Sequence, residues 1–271
     1  MAEMHAQFTG SIPALYDRHL GPVIFEPYAL DLAGRVAARA NGPVLETAYG
    51  TGILTRQLRT QLPSFIHLTA TDLNQPMIDY ARAKLGELAQ VTWQQADAAA
   101  LPFPTAAFAV VACQFGLMFV PDKPAAFREA RRVLKEGGVF AFNVWDSLAH
   151  NPYARITHET IGKFFPNNPP TFFQAPFGFY DHAVLWNLLA SHGFDQIEIT
   201  QIQLEAYSSS AESFAVGFVK GSPVSNAIQE RGGSFDDIVA AVAAALVREG
   251  GDRPFRSTMQ AVVVTARAKI A

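Results

Sequence analysis

The chain has 271 residues, 49% of them apolar, and its 24 acidic and 21 basic side chains give a formal net charge of −3 at pH 7. A chain of this length and composition can bury one large core without cross-links. A slightly acidic chain has no general attraction for phosphate backbones, so we do not expect a nucleic-acid partner.

Cysteine use and the amino terminus bear on the cellular compartment. Cys113 is the only cysteine and lies within an apolar run, which excludes an intrachain disulfide framework. The opening sequence MAEMHAQFTG has no basic segment followed by an apolar one, and no stretch approaches the roughly 18 apolar residues that span a bilayer. We therefore expect a soluble cytoplasmic protein without membrane insertion.

Apolar runs alternate with amphipathic stretches over the first 145 residues. The runs that predict strands cover residues 43–47, 65–71, 91–95, 108–113 and 139–145. Helical periodicity lies between them, at residues 53–62, 75–88 and 123–134. Such alternation implies a doubly wound parallel sheet with helices on both faces.

The alternation breaks at residues 146–180, an irregular stretch rich in Pro, Asn and Phe. It includes Phe172 and Phe173 and is longer and more aromatic than an ordinary loop. It follows the fifth predicted strand, near the carboxyl edge of the sheet where open α/β folds bind ligands. The aromatic residues can serve as core packing, as a lid over a ligand, or as both.

Regular patterns return after residue 180. Helices are predicted at residues 181–192, 211–219 and 235–248, and strands at residues 196–204 and 259–266. We predict one domain, in which residues 1–40 form cap helices and residues 41–145 the ligand-binding core. Residues 146–180 then form a lid insertion, and residues 181–271 complete the sheet with a helical insertion.

The most informative turn is VLETAYGTG at residues 44–52. A strand that ends here and opens a helix presents free backbone N–H groups, and its small residues let a ligand approach the main chain. Asp72 lies twenty residues after Gly52, at the end of the second strand. In nucleotide-binding sheets an acidic residue at this position accepts hydrogen bonds from the ribose hydroxyl groups. Asp97 closes the third strand in the same way.

A nicotinamide dinucleotide site is disfavoured by the same turn. Its fingerprint is G-x-G-x-x-G, but the sixth position counted from Gly50 is Thr55. Counted from Ala48, neither the first nor the sixth position is a glycine.

The segment ETAYGTG resembles the E-x-G-x-G-x-G loop of class I S-adenosylmethionine-dependent methyltransferases. TATDLNQPMIDYAR, QQADAAALPFPTAAFAVVACQFGLMFV and FREARRVLKEGGVFAFNVW follow in the order of that family's motifs. The resemblance covers about residues 16–145 and is strongest to the small-molecule branch containing the ubiquinone and menaquinone biosynthesis methyltransferases. It implies an α/β, Rossmann-like doubly wound seven-stranded sheet, mostly parallel with an antiparallel last strand, plus lid insertions.

The resemblance also implies S-adenosylmethionine as cofactor and methyl transfer to a small-molecule acceptor. The cofactor-binding residues that it implies are Tyr16, Glu46, Ala48, Gly50, Gly52, Asp72, Leu73, Met77, Asp97, Ala98, Gln114 and Phe115. Asp72 would bind the ribose, Asp97 the adenine amino group and Glu46 the amino group of the methionine portion. Gln114 would line the methionine end, and Tyr16 would close over the cofactor.

Several alternatives remain open. Ala48 stands where the motif has its first glycine, and we expect it to fit if its φ is negative. Glu46 and Asp72 can instead stabilise helix N-termini, and Phe172 and Phe173 can be core residues rather than acceptor-binding ones. A non-methylating reaction on S-adenosylmethionine and a non-catalytic cofactor-binding subunit stay possible functions. We assign no general base, expect no metal site, and leave a homodimer open.

Overall fold

The computed structural model describes residue 8 and residues 10–270. Its centre is a seven-stranded sheet with the strand order β3-β2-β1-β4-β5-β7-β6. The strands are β1 (Val44–Thr47), β2 (Leu68–Asp72), β3 (Val91–Gln95), β4 (Phe108–Gln114), β5 (Leu134–Trp145), β6 (Phe194–Ser208) and β7 (Phe255–Ala268). The last strand, β7, runs antiparallel to its neighbours β5 and β6, and the other pairings are parallel. The predicted Rossmann-like α/β fold is confirmed, including its antiparallel last strand.

Helices cover the sheet and its carboxyl edge. They are α1 (Ile12–His19), α2 (Glu26–Ala37), α3 (Ile53–Gln61), α4 (Gln75–Leu85), α5 (Lys123–Val133), α6 (Pro152–Phe164), α7 (His182–Ser191), α8 (Ala211–Lys220), α9 (Val224–Glu230) and α10 (Phe235–Gly250). A single π-helical turn, Gly21–Phe25, joins α1 to α2. Helix α2 packs on α3, β4 and β5, while α6, α8 and α10 pack together near β7.

Burial along the strands follows from their position in the sheet. Every residue of β1 and β2 is buried, because central parallel strands are covered by helices on both faces. The edge strand β6 is largely exposed along its length and is buried mainly at its ends. The carboxyl ends of β1, β2 and β4 therefore meet in the interior of the protein, at one edge of the sheet.

The structure corrects the sequence analysis in the stretch predicted to be irregular. Residues 152–164 form α6, which begins at Pro152 after Asn151 and buries Tyr153, Ala154 and Ile161 on one face. Proline is well suited to the first position of a helix, since its missing N–H has no partner there. The surrounding Pro, Asn and Phe residues concealed this periodicity. The short helix α9 was also missed.

The predicted second strand began too early. It starts at Leu68, and the side chain of Phe65 is 80% exposed. The segment before the strand is a turn whose carbonyl oxygens at Leu62, Pro63 and Ile66 accept hydrogen bonds from the Arg59 guanidinium. An apolar side chain in a turn was therefore counted as part of the strand.

Within the described residues, the helices are either too short or too polar to cross a lipid bilayer.

Candidate functional site

A cavity of about 450 Å³ lies at the carboxyl ends of β1, β2 and β4. This volume falls in the range of small-molecule sites, roughly 300 to 1,000 Å³. We call it the main cavity. It is lined by Phe8, Tyr16, Phe25, Glu46, Ala48, Tyr49, Gly50, Thr51, Ile53, Leu54, Asp72, Leu73, Asn74, Met77, Ala96, Asp97, Ala98, Gln114, Phe115, Gly116, Phe119, Val120 and Pro121. Eleven of the twelve residues that the resemblance marks for cofactor binding belong to this wall.

The turn after β1 brings the backbone to the cavity. Ala48, Gly50 and Gly52 all have positive φ, at 54°, 58° and 78°. A β-carbon built on Gly50 would meet no atom within 4 Å, so this glycine leaves open space beside the main chain. Gly52 is the predicted residue that does not line the cavity. A β-carbon there would lie 2.6 Å from Cδ1 of Leu85, so Gly52 permits close packing on α4.

The condition under which Ala48 was expected to fit, a negative φ, is not met. Its φ of 54° lies in the left-handed region, which disfavours residues with a β-carbon. The methyl group nevertheless has space, because it packs directly against Gly116, which has no side chain.

Asp72 ties two loops together at the floor of the cavity. Its Oδ2 accepts a hydrogen bond from the backbone N of Gly50 at 2.8 Å, and its Oδ1 accepts one from the backbone N of Asn74 at 2.8 Å. Burial raises the pKa of Asp72, and the bonds from Asn74 and Gly50 partly offset that rise. Oδ1 also accepts a longer hydrogen bond from Nδ2 of Asn74 at 3.5 Å, whereas Oδ2 keeps a second lone pair that can accept a hydrogen bond from a ligand.

Glu46 is a buried acid without a hydrogen-bonding partner. Its side chain is 1% exposed, and neither carboxylate oxygen has a hydrogen bond of good geometry within the described part of the chain. Burial raises the pKa of Glu46 to about 8, with the nearby Thr55 lowering it and the charge of Asp72 raising it further. Buried acids are normally paired, so an unpaired one that lines a cavity fits a cationic ligand group.

The far side of the cavity is apolar. Leu73, which is 55% exposed, and the buried Met77 stand on either side of the start of α4. Asp97 and Ala98 lie two and three residues beyond the end of β3, and the carboxylate of Asp97 accepts a hydrogen bond from the backbone N of Ala99. This arrangement can hold a flat ring between apolar side chains and backbone.

Tyr16 and Phe25 form the roof of the cavity. Their rings stack with centroids 4.6 Å apart. Phe25 ends the π-helical turn, a kind of distortion that is frequent at functional sites. Gln114 supports it from the end of β4 by donating a hydrogen bond from Nε2 to the carbonyl oxygen of Phe25 at 3.2 Å, while Oε1 of Gln114 is buried without a partner among the described residues.

Phe115 is held in a strained conformation beside the roof. Its φ is 50°, and its backbone N donates to Oδ1 of Asn143 at 3.1 Å. Its ring stacks on Trp145 with the centroids 4.0 Å apart and the planes 10° apart. Backbone strain of this kind persists where the surroundings fix it, which is common at binding sites.

A second, apolar cavity of about 50 Å³ adjoins the main one. We call it the aromatic cavity. It shares Phe8, Tyr16, Phe25, Phe115 and Phe119 with the wall of the main cavity. Phe172 and Phe173, the predicted acceptor-binding residues, line the aromatic cavity and not the main one. Both are buried, at 7% and 1% exposure, so they also contribute to the core.

Sequence reasoning missed part of the wall. Phe25 lies outside the quoted motifs, and Phe119 lies near the end of one without being marked by it, so their place in the site depends on how the cap helices and the turn after β4 pack. Tyr49 and Thr51 lie inside the recognised turn, so their neighbourhood was a signal that could have included them.

Comparison with known proteins agrees with this geometry. Residues 44–138 match the sequence family described as a methyltransferase domain. The ubiquinone/menaquinone biosynthesis C-methyltransferase UbiE of Shewanella sediminis is 29% identical to the chain over 220 residues, which cover 74% of this chain and 86% of that protein.

Two solved structures share the fold. Phosphoethanolamine N-methyltransferase 2 of Haemonchus contortus, in complex with S-adenosyl-L-methionine, has a TM-score of 0.61 at 16% identity, covering 98% of this chain and 58% of its own. The 4+2 cyclase SpnF has a TM-score of 0.54 at 20% identity, covering 91% of this chain and 81% of its own. The sequence match spans β1 to the start of β5, the strands whose ends form the main cavity.

Proposed function

The chain is a class I S-adenosylmethionine-dependent methyltransferase, and from this premise we propose that it methylates a small, largely apolar acceptor placed between the main and aromatic cavities. The observation that carries the proposal is the shared aromatic wall of the two cavities. An acceptor in the aromatic cavity is separated from a ligand in the main cavity only by side chains that line both.

The main cavity fits the cofactor through polar groups that have unused capacity. The unpaired Glu46 carboxylate suits the amino group of the methionine portion, and the open space at Gly50 lets that portion lie against the main chain. Asp72 has a lone pair for a ribose hydroxyl, and Leu73 and Met77 offer apolar contacts to the adenine. Bound here, S-adenosylmethionine supplies an electrophilic methyl group on a positively charged sulfur.

Gly52 leaves the set of proposed contact residues because its role is packing on α4. The proposed cofactor contacts are otherwise those expected from the sequence: Tyr16, Glu46, Ala48, Gly50, Asp72, Leu73, Met77, Asp97, Ala98, Gln114 and Phe115.

The residues near the acceptor contribute positioning and exclusion of water. Methyl transfer is a direct displacement in which charge becomes more diffuse, so alignment in a dry site supplies much of the acceleration. The stacked pairs Tyr16–Phe25 and Phe115–Trp145 keep the site apolar and rigid. Oε1 of Gln114 is a free acceptor for a hydroxyl group of the substrate. We propose that residues 146–180 act here as a lid, since Phe172 and Phe173 supply one wall.

The relative from Shewanella sediminis carries the name of a C-methyltransferase of quinone biosynthesis. That name supports a ring-containing acceptor methylated at carbon, because a flat ring also suits a cavity walled by phenylalanine side chains.

Incubation with deuteromethyl-labelled S-adenosylmethionine and a panel of phenols and hydroquinones tests the proposal. The expected result is S-adenosylhomocysteine formed in step with an acceptor that gains the labelled methyl group, both measured by mass spectrometry. The fold is shared with a cyclase, so a product without added methyl, formed while the cofactor is retained, would select the non-methylating alternative. Cofactor binding with no acceptor converted would select the non-catalytic one.

A further inference from the structure

A third cavity, of about 390 Å³, lies outside the other two. We call it the outer cavity. It lies between the turn after β4 and the end of the 146–180 stretch, and it is lined by Met118, Phe119, Val120, Pro121, Lys123, Gln174, Ala175, Gly178 and Phe179. Three of these residues, Phe119, Val120 and Pro121, also line the main cavity. The outer cavity is therefore a direct neighbour of the site and not a separate surface feature.

Phe119 belongs to the wall of all three cavities. Its ring centroid is 6.1 Å from that of Phe8 and 6.3 Å from that of Phe172. These distances lie within the roughly 4.5 to 7 Å range of aromatic pairs, and the Phe119 side chain is only partly buried. Its rotation away from this position would join the outer and aromatic cavities.

The aromatic cavity is too small for a ring while Phe119 keeps its position. Its volume is about 50 Å³. A cavity of roughly 150 Å³ is the size known to hold one benzene molecule. An acceptor ring therefore needs side chains to move before it can occupy the aromatic cavity, and Phe119 is the residue that lines all three cavities.

Lys123 fixes the turn that carries Phe119. Its Nζ donates hydrogen bonds to the carbonyl oxygens of Met118 at 3.2 Å and Val120 at 3.1 Å, on either side of Phe119 in the chain. The same ammonium lies over the ring of Phe179, 4.9 Å from its centroid. The third N–H of the ammonium remains for a ligand.

The charge of Lys123 has no carboxylate partner within 4.0 Å in the described part of the chain. The neighbouring Asp122 is engaged elsewhere, since its Oδ1 accepts from the backbone N of Ala125 as the cap of α5. Lys123 is half-buried, and burial lowers the pKa of its ammonium. An unpaired, partly desolvated cation in a cavity wall attracts an anionic group more strongly than an exposed lysine does.

Building on the proposed function, we infer that the acceptor is a flat apolar molecule with an anionic group, which binds Lys123 in the outer cavity while its ring displaces Phe119. The anionic group binds the third N–H of the ammonium and, by drawing the ammonium toward itself, weakens its hydrogen bonds to the carbonyl oxygens of Met118 and Val120. Binding of the anion thus loosens the turn at the moment the ring needs Phe119 to move. Phe119 sets which ring sizes enter, and Lys123 sets the preference for charge.

The test uses two probes of the same shape, 2-naphthoate and 2-naphthamide, titrated by calorimetry into the full chain saturated with S-adenosylhomocysteine. The unmodified protein should bind naphthoate about tenfold more tightly, a ratio equivalent to about 1.4 kcal/mol. Lys123→Met should abolish the preference, and Lys123→Arg should keep most of it. Lys163→Met, which removes an exposed lysine at the end of α6, is the matched control and should leave the ratio unchanged.

We call Phe119 the gate, because its side chain separates the three cavities. Phe119→Ala tests the gate separately from Lys123. It should tighten the binding of both probes by a similar factor, because the space no longer has to be opened, and it should leave their ratio unchanged. The dependence of probe affinity on salt concentration can be measured on the unmodified protein alone. The affinity for naphthoate should fall as ionic strength rises, while the affinity for naphthamide should stay constant.

Equal binding of the two probes to the unmodified protein would overturn the inference, and so would a preference that survives in Lys123→Met. Weaker binding of both probes to Phe119→Ala would overturn the role of the gate. These results leave the proposed function standing, because the deuteromethyl assay with neutral phenols does not depend on Lys123. If neither probe binds and no phenol or hydroquinone is methylated, both proposals fail.

Discussion

The methyl group of Ala48 packs directly against Gly116 and occupies the space that a side chain at position 116 would fill. A β-carbon built on Gly116 would lie only 2.4 Å from the β-carbon of Ala48. Ala48 stands in the left-handed region at a φ of 54°, whereas Gly116 has an ordinary φ of −100°. The glycine at position 116 is therefore required by packing, and it accommodates the alanine that replaces a glycine in the turn after β1.

Ala48→Gly should stabilise the protein by about 0.5 to 1 kcal/mol. Left-handed backbone costs an alanine roughly 1 to 2 kcal/mol, and the greater freedom of glycine in the unfolded chain returns part of that gain. Urea denaturation measures the difference. Ala244→Gly, at an exposed position in the middle of α10, is the control and should destabilise by roughly 0.5 to 1 kcal/mol. Cofactor affinity should be retained or improved, and a folded Ala48→Gly protein that fails to bind would show that the turn needs the methyl group.

Gly116→Ala should destabilise the protein by roughly 1 to 3 kcal/mol, since an added methyl group overpacks a closed site. In the double variant with Ala48→Gly, part of that loss should be recovered, because one of the two colliding methyl groups is gone. Recovery should be incomplete, as Sγ of Cys113 lies 2.9 Å from the same added carbon. Strictly additive effects in the double-mutant cycle would mean that the two residues do not contact each other.

Asp72→Ala should weaken S-adenosylmethionine binding by roughly 1 to 3 kcal/mol. The carboxylate is expected to accept the ribose hydroxyls, and its loss also frees the backbone N–H groups of Gly50 and Asn74. Calorimetry on the folded variant gives the affinity. Asp79→Ala removes an exposed carboxylate from α4 and should have no effect. Unchanged affinity in Asp72→Ala would remove this residue from the proposed contacts.

The raised pKa of Glu46 predicts a pH dependence of stability in the cofactor-free protein. Its pKa is about 8 in the folded state and near its ordinary value of 4.5 in the unfolded chain. Between these values the folded state holds the proton and the unfolded state does not, so stability falls as pH rises from about 4.5 to about 8. Glu46→Gln removes this contribution.

Denaturation of both proteins at pH 5 and pH 8 measures the effect. Relative to the unmodified protein, Glu46→Gln should be more stable at pH 8 by about 2 to 4 kcal/mol, with a much smaller difference at pH 5. The same variant should bind S-adenosylmethionine more weakly, because a neutral amide attracts the amino group less. If the pH dependence of the two proteins is identical, Glu46 is ionised in the folded state and has a partner.

The sequence was sufficient to predict those parts of the site whose position depends on the order of the strands in the chain. Glu46, Asp72 and Asp97 lie at or just past the carboxyl ends of three strands. Parallel pairing brings those ends to one edge of the sheet, so the meeting of the three residues in one cavity followed from the pattern. The sign of φ at Ala48 could not be predicted, since it depends on Gly116, which lies 68 positions away. Lys123 lies outside the quoted motifs and Phe119 is not singled out by the one that contains it, because the roles of both arise from packing against residues 172–179. Helix α6 was missed because composition was given more weight than periodicity.

Phe172 and Phe173 are adjacent in sequence, but their surroundings predict different effects of substitution. Phe172 stacks with Phe119 at the gate, whereas Phe173 is 1% exposed and packs against Phe177 and Phe218. Phe172→Leu should therefore change acceptor affinity or turnover more than cofactor affinity. Phe173→Leu should chiefly lower the free energy of unfolding, and truncation to alanine there should cost about 3 to 5 kcal/mol.

Steady-state kinetics together with thermal melting separate the two effects. A lid that contacts the acceptor requires the kinetic change in Phe172→Leu to appear in a protein whose melting temperature is nearly unchanged. If Phe172→Leu alters cofactor affinity while acceptor parameters hold, or if both variants lose only stability, then the aromatic residues of 146–180 serve the core alone. The acceptor would then have to be bound by the turn after β4 and the cap helices without them.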